Sequence, residues 1–298
     1  IKAFGFAGKG LRGKIASILA LISAVYRLKI FMKNERIDCL FGTGGFGMVP
    51  AILVSIWQRI PFYILEMNCR PGIVTKLFSK FSTLTYLALP LEKPIGGKTM
   101  VIGVPIRQGF DRVSYNPKAK RVMVMGGSQG ARRINELTVQ LAETRPDLRI
   151  RIITGLRDLP FIKGRLNGKH VEVIGFTDQP WQYLNDIALA ISRSGSNTIY
   201  ELLTIGIPMI LIPFPYAILD HQFANASYLE RKGAAVIITE DKLTVESLSQ
   251  TINQLLSDSA RLRRMHESAQ QLVVRDSALK IAQGLLGIRE GTPSRVEY

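Results

Sequence analysis

Met123-Val124-Met125-Gly126-Gly127-Ser128-Gln129-Gly130-Ala131 decides the fold: an apolar strand enters a glycine-rich turn, and the turn opens a helix. Backbone amides at such a turn point outward, and the dipole of the helix that follows favours a phosphate. The spacing is neither G-x-G-x-x-G nor G-x-x-x-x-G-K-[ST], so it signals neither a dinucleotide site nor a P-loop. A plain tight connection between strand and helix explains it equally well. Ile191-Ser192-Arg193-Ser194-Gly195-Ser196-Asn197-Thr198 repeats the arrangement further along.

Outward from these turns, apolar runs at 121–125, 150–154, 171–174, 187–192, 209–213 and 235–239 read as strands. Helical periodicity fills 130–143, 197–205, 221–232, 245–256 and 259–274, the rhythm of a doubly wound parallel sheet. The same rhythm runs upstream, with a long helix at 11–35, strands at 38–41, 62–65, 84–89 and 100–102, and helices near 48–58 and 72–81. The linker candidate is 103–116, and a last amphipathic helix covers 276–288. The predicted class is α/β with two doubly wound, Rossmann-like domains facing a cleft. An incomplete first domain takes 1–106, a second takes 107–275, and the closing segment 276–298 is expected to return to the first. The first domain holds four strands and opens on a helix where such domains open on a strand, so its opening units are expected to be missing.

Composition excludes several classes. The chain has 298 residues, of which 47% are hydrophobic and 21% charged, an ordinary globular balance. Two cysteines and three scattered histidines, His170, His221 and His266, exclude a disulfide framework and argue against a metal centre. Residues 1–110 hold 15 basic against 4 acidic side chains, which places most of the net charge of +16 in the first domain. Such a surplus points to an anionic partner, either a membrane face, a phosphorylated substrate or nucleic acid, unless it is merely a soluble basic surface. No nucleic-acid motif accompanies it. The longest uncharged apolar run near the start, Ile15 to Tyr26, has 12 residues, and a membrane span needs about 20. Ile15, Leu19, Ile22 and Tyr26 form one helical stripe bordered by basic residues, suited to lying on an anionic membrane. The competing reading buries this helix through Ile18, Leu21 and Val25.

Beyond the glycine-rich turn, two groups of residues suggest chemistry. Glu201 follows Ser194 by two helical turns, and a carboxylate there can accept from both hydroxyls of a ribose. The alternative is a capping box from Thr198 to Glu201. Gln222 and Asn225 share a helix face, and paired amides suit sugar hydroxyls; the alternative for that segment is an N-terminal cap by Asp220.

The runs GGSQGARRIN, GFTD and ISRSGSNTIYELLTIGIPMILIPFPYAILDHQFANASYLE resemble glycosyltransferase family 28, in particular its branch that forms lipid II. FGTGGFGMVPAIL, IPFYILEMNCRPG and VIGVPIR extend the resemblance over nearly the whole chain. It implies the GT-B fold and an inverting transfer of N-acetylglucosamine from UDP-N-acetylglucosamine. The acceptor would be the muramoyl 4-hydroxyl of undecaprenyl-diphospho-muramoylpentapeptide (lipid I), and the link β-1,4. It implies no cofactor or metal, and no Asp-x-Asp motif is present.

Carried over, the donor side comprises Glu201 at the ribose, and Gln222 and Asn225 at the sugar, with His221 beside them. Ser128 and Gln129 sit where the diphosphate approaches, and Ser194 and Thr198 belong to the same donor-binding set. Phe176 and Thr177 lie at the uracil, and Arg107 beside the diphosphate. Arg193 reads as structural. On the acceptor side stand Gly44, Gly45, Phe46 and Asn68, with Glu66 either a base or, preferably, a structural hydrogen-bonder. The resemblance places the protein peripherally on the cytoplasmic face of the cell membrane. Four departures from the family pattern stand out. Leu65 and Met67 flank Glu66 where the family has His and Gln, and Phe46 replaces a Tyr. Val104 replaces an Asn, and His221 replaces a Gln. A first glycine-rich loop precedes Ile1 in the family, so the chain alone is expected not to turn over. Rival readings are a related transferase with another lipid or sugar acceptor, a non-catalytic membrane-docked nucleotide-sugar binder, and a basic nucleic-acid binder.

Overall fold

The computed structural model describes residues 11–126, 131–166 and 170–287. They divide into two compact units: one runs to Val104 and resumes at Val274, the other spans Pro105–Val273.

In the first unit, α1 (Leu11–Asn34) leads to β1 (Leu40–Gly42), α2 (Val49–Gln58), β2 (Phe62–Glu66), α3 (Ile73–Phe78), β3 (Leu84–Leu87) and β4 (Thr99–Val101). The strands form a parallel sheet in the order β1-β2-β3-β4. Phe62–Glu66 is buried along its whole length, as a parallel strand covered on both faces must be. On one side Ile52, Phe62, Ile64 and Val74 pack together. A second cluster is built from Tyr63, Leu65, Tyr86 and Ile102, and it includes Ile281 from the far end of the chain.

In the second unit follow β5 (Arg121–Met125), α4 (Arg132–Thr144), β6 (Arg149–Ile153), α5 (Leu159–Arg165), β7 (Val171–Ile174), β8 (Ile187–Ser192), α6 (Ser196–Ile205), β9 (Met209–Leu211), α7 (His221–Arg231), β10 (Ala235–Ile237), α8 (Val245–Leu256) and α9 (Ser259–Leu272). The sheet is parallel, in the order β10-β9-β8-β5-β6-β7. Counted from β5 this is 3-2-1-4-5-6, the order whose reversal between the first and fourth strands leaves a crevice at their carboxyl ends. Val122, Val124, Leu189, Ile191 and Ile210 are completely buried at its centre. The chain then re-enters the first unit as α10 (Ser277–Leu285), where Ser277 Oγ donates to Ile102 O at 2.6 Å.

The helix expected at 72–81 is α3 followed by a single tight turn at Ser79–Phe81. The strand expected at 84–89 ends at Leu87. Helix α5 has no counterpart in the sequence reading.

Candidate functional site

The crevice of the second unit is a cavity of about 460 Å³. Met125 and Ile153 form its floor at the carboxyl ends of β5 and β6, Phe176 and Thr177 one wall, and Thr198 and Glu201 the other. Arg107 reaches it from the segment entering the unit. The local sequence explains why α6 faces this space. It starts behind Gly195 in extended conformation, with no side-chain cap, so the first-turn N–H groups are left for another acceptor. The capping box weighed from Thr198 to Glu201 does not form, because Thr198 already lies inside the helix.

Glu201 is instead an ion-pair partner. Its Oε1 accepts from Arg107 Nη2 at 2.8 Å, with side-chain exposures of 12% for Glu201 and 50% for Arg107. Arg107 Nη1 donates to Asp178 O at 2.7 Å. Its guanidinium carbon lies 5.6 Å from the Trp181 ring centre and 5.8 Å from that of Phe110, within cation–π range. Burial pushes the Glu201 carboxyl above its ordinary value, and the Arg107 hydrogen bond and charge pull it part of the way back. Asp178, Trp181 and Phe110 were not singled out in the sequence. Only the GFTD motif, whose last residue is Asp178, pointed near them.

The other donor-side residues form a cluster of their own around the start of α7. Ser194 Oγ donates to Gln222 O at 2.8 Å, and Asn225 Nδ2 donates to Ser194 O at 3.2 Å. Both side chains are completely buried. Their hydrogen bonds join the turn after β8 to α7. Gln222 Oε1 accepts from Phe214 N at 3.0 Å, and a hydrogen bond of 2.7 Å joins His221 Nδ1 and Ile218 O. The cap expected from Asp220 does not form; the residue takes a left-handed conformation and makes no side-chain cap. Arg193 donates to Ile212 O, Pro213 O and Glu240 Oε2, tying the ends of β8 and β9 together. Ser128 and Gln129 lie outside the described residues.

In the first unit, Gly44 has φ +69°, and a Cβ there would come within 2.5 Å of Thr75 Oγ1. Only glycine fits that turn. Gly45 and Phe46 beside it are exposed. Glu66 is 5% exposed. Its Oε1 accepts from Asn68 N at 3.1 Å and Asn68 Nδ2 at 3.4 Å, and its Oε2 from Gly72 N at 3.0 Å. The carboxylate holds the turn between β2 and α3, the structural alternative weighed for it. Of the departures in this unit, Leu65 and Val104 are buried and Met67 packs against the Tyr63–Tyr86 cluster. They are packing changes, and Phe46 alone of the four faces solvent.

On α1, Leu19, Ile22 and Tyr26 are 62%, 60% and 65% exposed, whereas Ser17, Ala24 and Met32 are buried. Leu21 lines an apolar cleft against α2 and α3. The side chains of Ile15 and Ile18 lie outside the described set. Lys29 Nζ sits 3.6 Å over the exposed Trp57 ring. No described helix is long and apolar enough to cross a membrane.

Comparison with known proteins fits this layout. The profile of the glycosyltransferase family 28 C-terminal domain matches residues 121–281, and that of the family's N-terminal domain matches residues 1–87. The chain belongs to glycosyltransferase family 28. Among its relatives is the UDP-N-acetylglucosamine--N-acetylmuramyl-(pentapeptide) pyrophosphoryl-undecaprenol N-acetylglucosamine transferase of Geobacter metallireducens. It is 31% identical, over 96% of this chain and 83% of its own length. The protein of that name from Prochlorococcus marinus is 36% identical, over 85% of this chain and 72% of its own. Among solved structures, Acinetobacter baumannii MurG superposes with a TM-score of 0.78 at 24% identity, covering 91% of this chain and 79% of that one. The calicheamicin glycosyltransferase CalG4 does so with 0.65 at 14%. The two-sheet α/β fold is thus that of GT-B glycosyltransferases, and this family 28 chain is a glycosyltransferase by descent.

Proposed function

We propose that the chain transfers N-acetylglucosamine from UDP-N-acetylglucosamine to the muramoyl 4-hydroxyl of a polyprenyl-diphosphate-linked muramoylpentapeptide. The observation that carries the reading is the switch-point cavity with Glu201 on its wall, in a chain whose family relatives bear the name of that reaction. Uracil lies along Phe176 and Thr177, the ribose hydroxyls donate to Glu201, and the diphosphate lies toward the start of α6. There the uncapped N–H groups and the helix dipole oppose the charge that develops as UDP leaves. Inversion follows from direct displacement: the acceptor oxygen attacks the anomeric carbon from the face opposite the departing phosphate. Glu66 is not assigned as the base. Gln222, in the first turn of α7, and Asn225 three residues on are the amides assigned to reading the sugar.

The acceptor carries a long polyprenyl tail, so the first unit meets the cytoplasmic face of the membrane. The exposed Leu19, Ile22 and Tyr26, flanked by Arg27, Lys29 and Lys33, are the surface proposed for it. Apolar burial and attraction to anionic lipid add there. Calorimetry with UDP-N-acetylglucosamine tests the donor reading. Saturable binding that UDP competes for is expected, with little heat from GDP- or dTDP-sugars. Absence of binding, or no preference for uridine, rejects it.

A further inference from the structure

The loop that carries β9 into α7, residues 212–220, is tightly bonded yet turns its apolar side chains outward. Phe214 N donates to Gln222 Oε1 at 3.0 Å, Ala217 N to Phe214 O at 3.2 Å, and Asp220 N to Ala217 O at 2.8 Å. His221 Nδ1 and Ile218 O lie 2.7 Å apart. Leu219 and Asp220 hold φ of +55° and +54°, a left-handed backbone that is costly for a leucine. Even so, Tyr216 is 83% and Ile218 77% exposed, with Phe214, Leu219 and Phe223 exposed beside them. Phe214 and Tyr216 meet edge to face, 5.6 Å between ring centres. A fixed loop that displays several large apolar groups together marks a contact surface.

Charge narrows the choice of what docks there. The loop borders a cavity of about 600 Å³ at the carboxyl ends of β9 and β10. The charged residues lining it, Asp220, Glu240 and Asp241, are all acidic, in a chain of net charge +16. Glu240 is paired with Arg193 at 2.6 Å. A hydrogen bond from Thr239 holds the Asp241 carboxyl below its ordinary value, so it stays ionised. Apolar groups bordered by carboxylates are a poor match for anionic lipid and a good one for an apolar ligand that carries positive charge. Gln222, which fastens the loop through Phe214 N, is assigned above to the transferred sugar. A muramoyl acceptor bears its peptide on the ring carbon next to the attacked hydroxyl, so the peptide leaves the reaction centre beside that sugar. We propose that the 212–220 loop is the docking surface for the acceptor's peptide: Tyr216 and Ile218 pack against its apolar part, and Asp220 and Asp241 attract a basic side chain. The inference rests on the transfer reaction proposed above and names the part of the acceptor that the second unit recognises.

Soluble N-acetylmuramoyl-pentapeptide, without polyprenyl diphosphate, isolates this contact. Two forms are titrated by NMR into the full chain saturated with UDP, one with lysine in the peptide and one with Nε-acetyllysine in its place. UDP-N-acetylglucosamine is titrated by calorimetry in parallel. The unaltered chain binds the lysine form, and the acetylated form about two- to five-fold more weakly, the range of an exposed charge pair. Tyr216→Ser with Ile218→Ser weakens both forms at least about ten-fold, as loss of an aromatic anchor does, with UDP-N-acetylglucosamine binding unchanged. Asp220→Asn with Asp241→Asn abolishes the preference for lysine. Peptide binding that neither pair of substitutions alters overturns the proposal, as does an unaltered chain that binds the donor and no muramoyl peptide. Loss of vesicle flotation, or of self-association in sedimentation, as the main effect of Tyr216→Ser with Ile218→Ser assigns the surface to a membrane or a second copy and overturns it as well. If that variant does not fold, the aspartate pair decides on the lysine preference. An unaltered chain that binds no UDP-N-acetylglucosamine overturns the transfer reading itself and this inference with it, an outcome distinct from the others.

Discussion

Glu201 sets stability against binding within one residue. Its carboxyl is raised by burial in the folded state, so the native chain holds that proton more tightly than the unfolded chain does. The stability it contributes is therefore full below the ordinary glutamate value and is lost as pH rises through the raised one. Glu201→Gln should be at least as stable as the unaltered chain at neutral pH without nucleotide, with its advantage growing from acid to neutral pH. It should bind UDP at least about ten-fold more weakly, the loss of a hydrogen bond to a charged group. Melting curves across pH and a UDP titration check this; a variant that melts lower at neutral pH contradicts it. Asn225 behaves oppositely. Asn225→Ala removes a buried bond to Ser194 O and should cost about 1–3 kcal/mol in urea unfolding. The sequence showed that Gln222 and Asn225 share a face, but spacing does not say whether that face meets ligand or core. Glu201 was legible because it follows Ser194 by two helical turns; its ion-pair partner comes from ninety-odd residues upstream, beyond any local pattern.

Helix α1 was legible as a helix because its apolar residues recur at helical spacing, yet it is apolar nearly all round, and periodicity alone could not choose the buried side. Ser17, Ala24 and Met32 turned out to mark it. Small residues allow close helix contact, so the larger Leu19, Ile22 and Tyr26 are left outside. Leu19→Glu with Ile22→Glu should keep the fold and abolish flotation with anionic vesicles. A folded double variant that floats as before rejects α1 as the docking surface. Helix α5 was missed because Pro160 and Gly164 look like breakers; the proline occupies the first turn, where its missing N–H is harmless. Helix α10 approaches the sheet at Gly284, where a Cβ would fall on the Tyr86 hydroxyl. That hydroxyl is buried and has no partner among the described residues. Gly284→Ala should destabilise by about 1–3 kcal/mol through overpacking. Adding Tyr86→Phe should recover much of that, because it removes both the clash and an unpaired buried oxygen. A double variant no more stable than the single one rejects this account.

At the scale of the molecule, the strands and their parallel pairing could be read from the alternation of elements. Their order across the sheet could not, because it depends on which side each crossover returns. The uneven charge of +16 makes a prediction of its own. Binding to anionic vesicles should weaken steeply with salt, because a Debye length shrinks from about 10 Å at 0.1 M to about 3 Å at 1 M. Binding to neutral vesicles should show only the apolar part. Salt-independent flotation would assign the attachment to apolar burial alone.

The first unit is closed by a segment that is translated only after the whole of the second. Ile281 completes the cluster of Tyr63, Leu65, Tyr86 and Ile102, but the whole of Pro105–Val273 is translated in between. At about 5–20 residues per second, that interval lasts on the order of ten to thirty seconds. Through it the nascent sheet exposes an apolar face that a chaperone can hold. The second unit, contiguous in sequence, has no such wait. A polypeptide stalled before α10 therefore leaves a folded second unit attached to a first unit that is sticky and open to proteolysis.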